Sequence, residues 1–308
     1  MPRVLTRPHG IEIEYETFGD PGHPAMLLVM GLGCQMIMWD DELCEMLAAR
    51  GLYVIRYDNR DVGASTKLGK VAGPVRVLYA LISAVAGRPY RAPYTLDDMA
   101  DDGAGLLEAL GIDAAHVLGS SMGGSIAQLI AIRHPTRVLS LACISGTTSD
   151  PELPRASTEV LAKLTRPPPM RRRTFLDHTA KMQRFVNGGV LPFDEERARA
   201  RANRVFDRGV DIGGSMRHFL ALLSAKSRRR ALAAVTAPTL AIHGDADPVS
   251  HVDCGRDVAD SVPDGRLLVI PGMGHDIAPA VWQIAVDAVL ENTARATEGT
   301  PTPCLAAR

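Results

Sequence analysis

The stretch Gly119-Ser120-Ser121-Met122-Gly123-Gly124 decides how this chain is interpreted. It has the pattern G-x-S-x-G with one further glycine. His116-Val117-Leu118 before it is typical of a short buried strand, and the apolar run 125–132 after it is typical of a helix. A serine on such a sharp strand-to-helix turn has a strained backbone and an exposed hydroxyl. The pattern predicts a nucleophilic Ser121; a Gly/Ser-rich turn that only caps a helix is the alternative.

Composition excludes several classes of protein. The chain has 308 residues, 46% hydrophobic and 22% charged, as is usual for a globular protein, and a formal net charge of -1. That charge argues against a general surface for nucleic acid or anionic membranes. The N-terminus lacks the apolar region of a signal peptide, and the apolar run 75–86, which contains Arg76, is shorter than the roughly 20 residues that span a bilayer. Five scattered cysteines without a C-x-x-C pair suggest free thiols. We therefore expect a cytoplasmic protein.

The remaining apolar segments alternate between strand and helix patterns. Residues 11–18 alternate apolar and acidic side chains, which predicts a half-exposed strand. Residues 25–30 are continuously apolar, which is typical of a strand buried on both faces of a parallel sheet. Mainly apolar segments predict further strands at 52–58, 138–144, 239–243 and 266–270. Helices are expected at 39–50, 95–110 (with Thr95 as the N-cap), 253–259 and 280–292. This order predicts an α/β fold with a mostly parallel central sheet flanked by helices.

One long segment departs from the alternation. Residues 149–234 show no strand pattern and are rich in Arg and Pro, so we interpret them as an inserted helical cap. The core would then comprise 1–148 and 235–295, and 296–308 would form a disordered tail. The arginine runs 171–173 and 228–230 are expected to be solvated. The apolar piece 75–86 suggests a short helix near a pocket entrance, with packed core as the alternative.

A serine nucleophile needs a base and an acid that orients it. Asp247 and His275 each follow a predicted buried strand, as Ser121 does, and the order Ser, acid, His suits loops at one edge of a sheet. Asp245 is the alternative acid. His275 lies in a Gly-Met-Gly-His turn directly after its strand.

The other histidines are weaker candidates. His116 and His243 are expected to be buried structural groups, and His134, before a proline, to end a helix. Three further histidines lack the position after a strand: His178, His218 and His251.

Taken together, these motifs resemble the α/β-hydrolase fold superfamily over residues 11–292. The loop Gly31-Leu32-Gly33 and the segment 57–63 are similar to a serine esterase subgroup that includes aclacinomycin methylesterase. The resemblance implies that Ser121 is the nucleophile, His275 the base and Asp247 the orienting acid. It also implies an oxyanion hole formed by the backbone N–H groups of Leu32 and Met122. Many relatives have His-Gly before the residue that corresponds to Leu32, whereas this chain has Met30-Gly31. The side-chain contacts of this loop are therefore expected to differ.

The implied activity is hydrolysis of small to medium apolar carboxylic esters through an acyl-enzyme intermediate, with no metal or organic cofactor. Lactonase, thioesterase, carbon–carbon hydrolase and perhydrolase chemistry would use the same triad and stays open. A lipase that binds interfaces through 75–86 and a ligand receptor built on the fold are further alternatives. The expected partner is a small-molecule ester, without nucleic acid or a stable membrane anchor. The oligomeric state is open, a homodimer included.

Overall fold

The structure is a computed structural model that describes residues 1–7, 9–69, 79–80, 82–83, 88 and 90–298. The described residues contain one sheet of eight strands in the order β1-β2-β4-β3-β5-β6-β7-β8. Its strands are β1 Arg3–Thr6, β2 Ile11–Phe18, β3 Ala25–Val29, β4 Tyr53–Tyr57, β5 Ala115–Ser120, β6 Val138–Ile144, β7 Thr239–Gly244 and β8 Gly265–Ile270. The pairs β1/β2 and β2/β4 are antiparallel and the others parallel, which confirms the mostly parallel sheet. Strand β1 was not predicted.

The α-helices that lie wholly within the described residues are α1 Asp41–Ala48, α2 Leu96–Ala109, α3 Met122–Arg133, α4 Thr158–Thr165, α5 Arg172–Val186, α6 Glu195–Asp207, α7 Ile212–Leu223, α8 Arg229–Leu232, α9 Val252–Asp260 and α10 Trp282–Glu298. The last helix continues past 292, and its end at Glu298 lies beyond 296, where the tail was expected to begin. Residues 299–308 and most of 75–86 lie outside the described residues.

Apolar side chains cover both faces of the sheet. The five residues of β3 are all buried, as expected for a central parallel strand. Apolar residues of α2, α3 and α9 pack on one face, and those of α1 and α10 pack on the other. The sheet is therefore the middle layer of three, and its position fixes the loops at the carboxyl ends of the strands.

Local sequence sets the start of α2. Thr95 Oγ1 accepts the Asp98 N–H at 3.2 Å, and the Asp98 carboxylate accepts the Thr95 N–H at 2.7 Å. This reciprocal capping box satisfies two amides that a helix N-terminus leaves unpaired. It confirms Thr95 as the N-cap.

Residues 149–234 contain α4 to α8 and no strand, and they connect β6 to β7. The run 171–173 is exposed, as predicted, but the prediction was wrong for Arg228, which is buried. Its guanidinium donates to Gln128 Oε1 at 3.0 Å and Ser125 Oγ at 2.9 Å on α3, and to the Thr147 carbonyl at 2.7 Å. It also donates to Ser149 Oγ, at the start of the helical segment, at 3.2 Å. Arg228 thus ties both ends of the helical segment to α3, a role that its place in a basic run does not reveal.

Candidate active site

Ser121 lies at the turn between β5 and α3. Its backbone has φ 56° and ψ -121°, a conformation that non-glycine residues rarely adopt. A Cβ on Gly119 would lie 2.2 Å from the Gly123 carbonyl oxygen, and one on Gly123 would lie 2.0 Å from the Val29 carbonyl oxygen. The turn can form only with glycine at both positions. The strained conformation predicted from the motif is present, and Ser121 precedes the first residue of a helix.

His275 lies in the loop after β8 and contacts Ser121. Its Nε2 is 2.8 Å from Ser121 Oγ, and its Nδ1 is 2.8 Å from Asp247 Oδ2. The backbone N–H of His275 donates to the Val186 carbonyl, at the end of α5, at 2.7 Å. The structure therefore brings together the serine, histidine and aspartate that the sequence placed on three separate loops.

Asp247 follows β7 and its side chain is fully buried. Its Oδ1 accepts the backbone N–H groups of Val249 and Ser250 at 2.8 and 2.9 Å, while its Oδ2 faces His275. Burial alone would raise the pKa of this carboxyl. The charge of His275 and hydrogen bonds from His243, His275 and the Ser250 amide outweigh burial and hold that pKa well below its usual range. Asp247 is therefore ionised at neutral pH.

The alternative acid, Asp245, lies in the same loop but serves another contact. Its Oδ1 accepts the Gly272 N–H at 2.6 Å, which joins the loop after β7 to the loop after β8. The contact to His275 Nδ1 is made by Asp247. Geometry thus favours Asp247 as the partner of the histidine, and Asp245 as a group that supports the loop.

His243, predicted as a buried structural group, is fully buried and also contacts the acid. Its Nε2 lies 2.9 Å from the Ser250 carbonyl oxygen and 3.4 Å from Asp247 Oδ2. Sequence reasoning missed this contact, although His243 is the next-to-last residue of β7 and lies four residues before Asp247. Of the other histidines, His116 is buried against Ser140 Oγ at 2.8 Å, and His134 ends α3 as predicted.

The loop Gly31-Leu32-Gly33 lies directly against the serine. A Cβ on Gly31 would be 3.3 Å from Ser121 Cβ and 3.8 Å from Ser121 Oγ. Within the described residues, the backbone N–H groups of Leu32 and Met122 have no hydrogen-bond acceptor. Both amides are therefore available to an oxygen beside Ser121.

The side-chain contacts of this loop come from distant parts of the chain. Asn59 Nδ2 donates to the Met30 carbonyl at 3.0 Å, and the Gly33 N–H donates to Nδ1 of His218, on α7, at 3.1 Å. The sequence predicts no role for His218, because this residue does not follow a strand. No local signal marks it, since only the packing of α7 brings it to the loop.

A buried charge cluster joins the helical segment to the site. Arg201 on α6 donates to Asp40 at 3.2 Å and to Asp276, the neighbour of His275, at 3.1 Å. Cys34 lies close to this cluster, and burial together with the charge of Asp276 raises the pKa of its thiol to about 11. The thiol is therefore protonated at neutral pH. Through Arg201, α6 is held both to Asp40 and to the loop that carries His275.

Within the described residues, no group of three or more His, Cys, Asp or Glu side chains is arranged to hold a metal ion. Nor does any helix in these residues have the length and apolar character needed to cross a bilayer.

Comparisons with known proteins agree with this fold. A family model described as the alpha/beta hydrolase fold matches residues 24–278. The chain is 30% identical to rhodomycin D methylesterase DauP of Streptomyces sp. (strain C5), over 96% of this chain and all of that protein. It is 27% identical to a putative carbamate hydrolase RutD of Variovorax paradoxus (strain S110), over 89% of this chain and 92% of that one.

Solved structures show the same fold. A hydrolase from Pseudomonas aeruginosa PA01 matches with a TM-score of 0.70 and 25% identity, covering 94% of this chain and 97% of that one. An enol-lactonase from Burkholderia xenovorans LB400 matches with a TM-score of 0.69 and 21% identity over 95% of this chain and 100% of that chain, which bears on the fold alone. With a family model over most of its length, a full-length relative and the expected mostly parallel sheet, this chain belongs to the α/β-hydrolase fold family.

Proposed function

We propose that this protein is a serine hydrolase of carboxylic esters, with Ser121, His275 and Asp247 as its catalytic residues. The observation that carries the proposal is the continuous chain of two 2.8 Å contacts from Ser121 Oγ through His275 to Asp247, with the serine on a strained turn. The similarity to a methylesterase over the full chain supports ester hydrolysis as the reaction.

In the proposed reaction, His275 Nε2 takes the proton of Ser121 as Oγ attacks the ester carbonyl. The tetrahedral intermediate collapses when His275 gives that proton to the departing alcohol, which leaves an acyl group on Ser121. A water activated by His275 then releases the carboxylic acid and restores the serine. Asp247 stays ionised throughout and stabilises the imidazolium, consistent with the lowered pKa of its carboxyl.

The N–H groups of Leu32 and Met122 are the proposed oxyanion hole. They suit this role because the Gly31 loop lies against Ser121 and Met122 begins α3, where the helix dipole favours negative charge. Each donor of this kind contributes roughly 2.7–4 kcal/mol to the transition state.

We further propose that residues 149–234 form a cap over the site. Two contacts support this: the Val186 carbonyl accepts the His275 amide, and Arg201 pairs with Asp276. The proposed substrates are small to medium apolar esters, and the similarity to two rhodomycin D methylesterases makes methyl esters the first class to test. A cytoplasmic location stays a prediction, and the oligomeric state stays open.

The test compares the wild type with Ser121→Ala on p-nitrophenyl acetate, butyrate and octanoate, and on methyl esters of aromatic acids. We expect wild-type turnover and a loss in the variant of up to about 10⁶-fold, as loss of the serine causes in a comparable triad. Equal activity of both proteins would contradict the assignment of Ser121. No turnover by the wild type on any ester would contradict the proposed reaction and direct the search to lactones, thioesters, carbamates and tightly bound ligands.

A further inference from the structure

His218 is the point at which α7 meets the loop beside Ser121. Its side chain is fully buried, 185 positions along the chain from Gly33, whose N–H donates to His218 Nδ1 at 3.1 Å. The other ring nitrogen, Nε2, lies 2.7 Å from the Arg60 carbonyl oxygen. The ring of Tyr94 packs edge-on against the imidazole, with ring centroids 6.3 Å apart.

These two contacts fix the protonation of the ring. A carbonyl oxygen can only accept, so Nε2 must carry the hydrogen; the Gly33 N–H can only donate, so Nδ1 must be bare. Burial lowers the pKa of His218 to about 4, which is consistent with a neutral ring at physiological pH. His218 is thus a neutral acceptor aimed at the Gly33 amide.

That amide lies one residue beyond Leu32. Gly33 has φ 65°, and glycine also stands at position 31, so the backbone on both sides of Leu32 has more conformational freedom than other residues would allow. A buried acceptor that holds Gly33 restricts the direction of the Leu32 N–H. At the other end, Asn59 holds the Met30 carbonyl.

We propose that His218 is a positioning residue for the oxyanion hole, which holds the Leu32 N–H toward the oxygen that forms beside Ser121. The inference rests on the proposed function, because it concerns stabilisation of a tetrahedral intermediate. It predicts an effect on kcat, since a donor aimed at the developing oxyanion acts in the transition state more than in substrate binding.

Two amide variants of different length separate this role from simple packing. In His218→Asn, the amide oxygen occupies the position of Nδ1 and can accept from Gly33. In His218→Gln, the terminal amide reaches the position of Nε2 and can donate to Arg60, but nothing accepts from Gly33. Both variants lose the imidazole packing against Tyr94, so a purely structural role would make them similar.

We expect His218→Gln to lower kcat by about 10- to 100-fold, less than or equal to the loss of a whole oxyanion donor. His218→Asn should retain kcat within about threefold, and KM should change little in either variant. The affinity for a trifluoromethyl ketone, which forms a tetrahedral adduct with the serine, should fall in parallel with kcat. His116→Asn and His116→Gln are matched controls, since His116 is also buried and neutral but contacts Ser140; they should lower Tm without changing kcat per folded molecule.

Nitrogen NMR of the histidine rings tests the contact in the unmutated protein. We expect the Nε2–H form of His218 and a coupling between Nδ1 and the Gly33 nitrogen; an Nδ1–H form would overturn the inference even if neither variant folds. Suppose that the wild type hydrolyses esters and that His218→Asn and His218→Gln lower kcat equally, or that neither lowers it. Either result would overturn the inference and leave the proposed function standing. No turnover by the wild type would overturn the proposed function and the inference with it.

Discussion

Replacing Asp247 by asparagine is expected to lower kcat by about 10⁴-fold, because the new side chain would hold His275 in the wrong tautomer. In the present structure, Oδ1 of Asp247 accepts two backbone N–H groups, from Val249 and Ser250, and Oδ2 faces His275 Nδ1. An asparagine must therefore direct its oxygen to the two amides and its NH2 group to His275. His275 Nδ1 would then accept, its hydrogen would move to Nε2, and Nε2 could no longer take the proton of Ser121.

The reverse orientation of the asparagine is costly. It would direct an NH2 group at two N–H donors and leave two buried hydrogen bonds unmade, at about 1–3 kcal/mol each and roughly 2–6 kcal/mol together. The wrong tautomer therefore dominates, and the loss of 10⁴ in rate corresponds to about 5.5 kcal/mol in the barrier.

The assay is kcat and KM on the best p-nitrophenyl ester, with Tm measured to show that the variant is folded. Asp245→Asn is the matched control: an asparagine there can still accept the Gly272 N–H, so kcat should stay within about twofold. Near-normal turnover by Asp247→Asn together with an inactive Asp245→Asn would refute the reasoning. Asp245 would then be the acid that orients His275, and Asp247 the residue that supports the loop.

Two further predictions concern stability. Burial lowers the pKa of both His116 and His218 to about 4, below the value of about 6.5 in an unfolded chain, so the unfolded state binds more protons as the pH falls between these values. Each of these two histidines should therefore reduce the free energy of unfolding by about 2 kcal/mol when the pH falls from 7 to 5. Urea denaturation at the two pH values measures this change. Arg201→Met removes the cation shared by Asp40 and Asp276 and should lower the free energy of unfolding by about 3 kcal/mol, with a fall in kcat because Asp276 adjoins His275.

Controls separate these effects from general destabilisation. Between pH 7 and pH 5, the free energy of unfolding of His116→Gln should fall by about half as much as that of the wild type. A wild type whose free energy of unfolding is the same at both pH values would contradict the burial argument. Arg199→Met removes an exposed arginine of the same helix that pairs with Asp177, and should change stability by about 1 kcal/mol or less. An Arg201→Met variant as stable and active as Arg199→Met would show that the buried cluster contributes nothing.

Much of the fold and the three central residues could be predicted because their signals are local. A G-x-S-x-G turn restricts its own backbone by close contacts at Gly119 and Gly123. Asp247 and His275 directly follow apolar strands, and the ends of parallel strands share one edge of a sheet. The order of strands and helices therefore implied that the three side chains meet, and they do.

What local signals could not supply are contacts between elements far apart in the chain. Arg228 was expected in solvent because it stands in a basic run, yet it is buried where the two ends of the helical segment meet α3. Arg201 appears in the sequence as one more arginine of a charged helix, and only packing places it between Asp40 and Asp276.

The sequence by itself thus determined the α/β order, the strained turn at Ser121 and the loops that carry Asp247 and His275, because each depends on neighbouring residues and on strand direction. Only the tertiary structure decided which side chains surround them. His218 holds Gly33 because α7 packs against a loop 185 positions away, and a contact of that kind depends on how helices pack rather than on any local pattern.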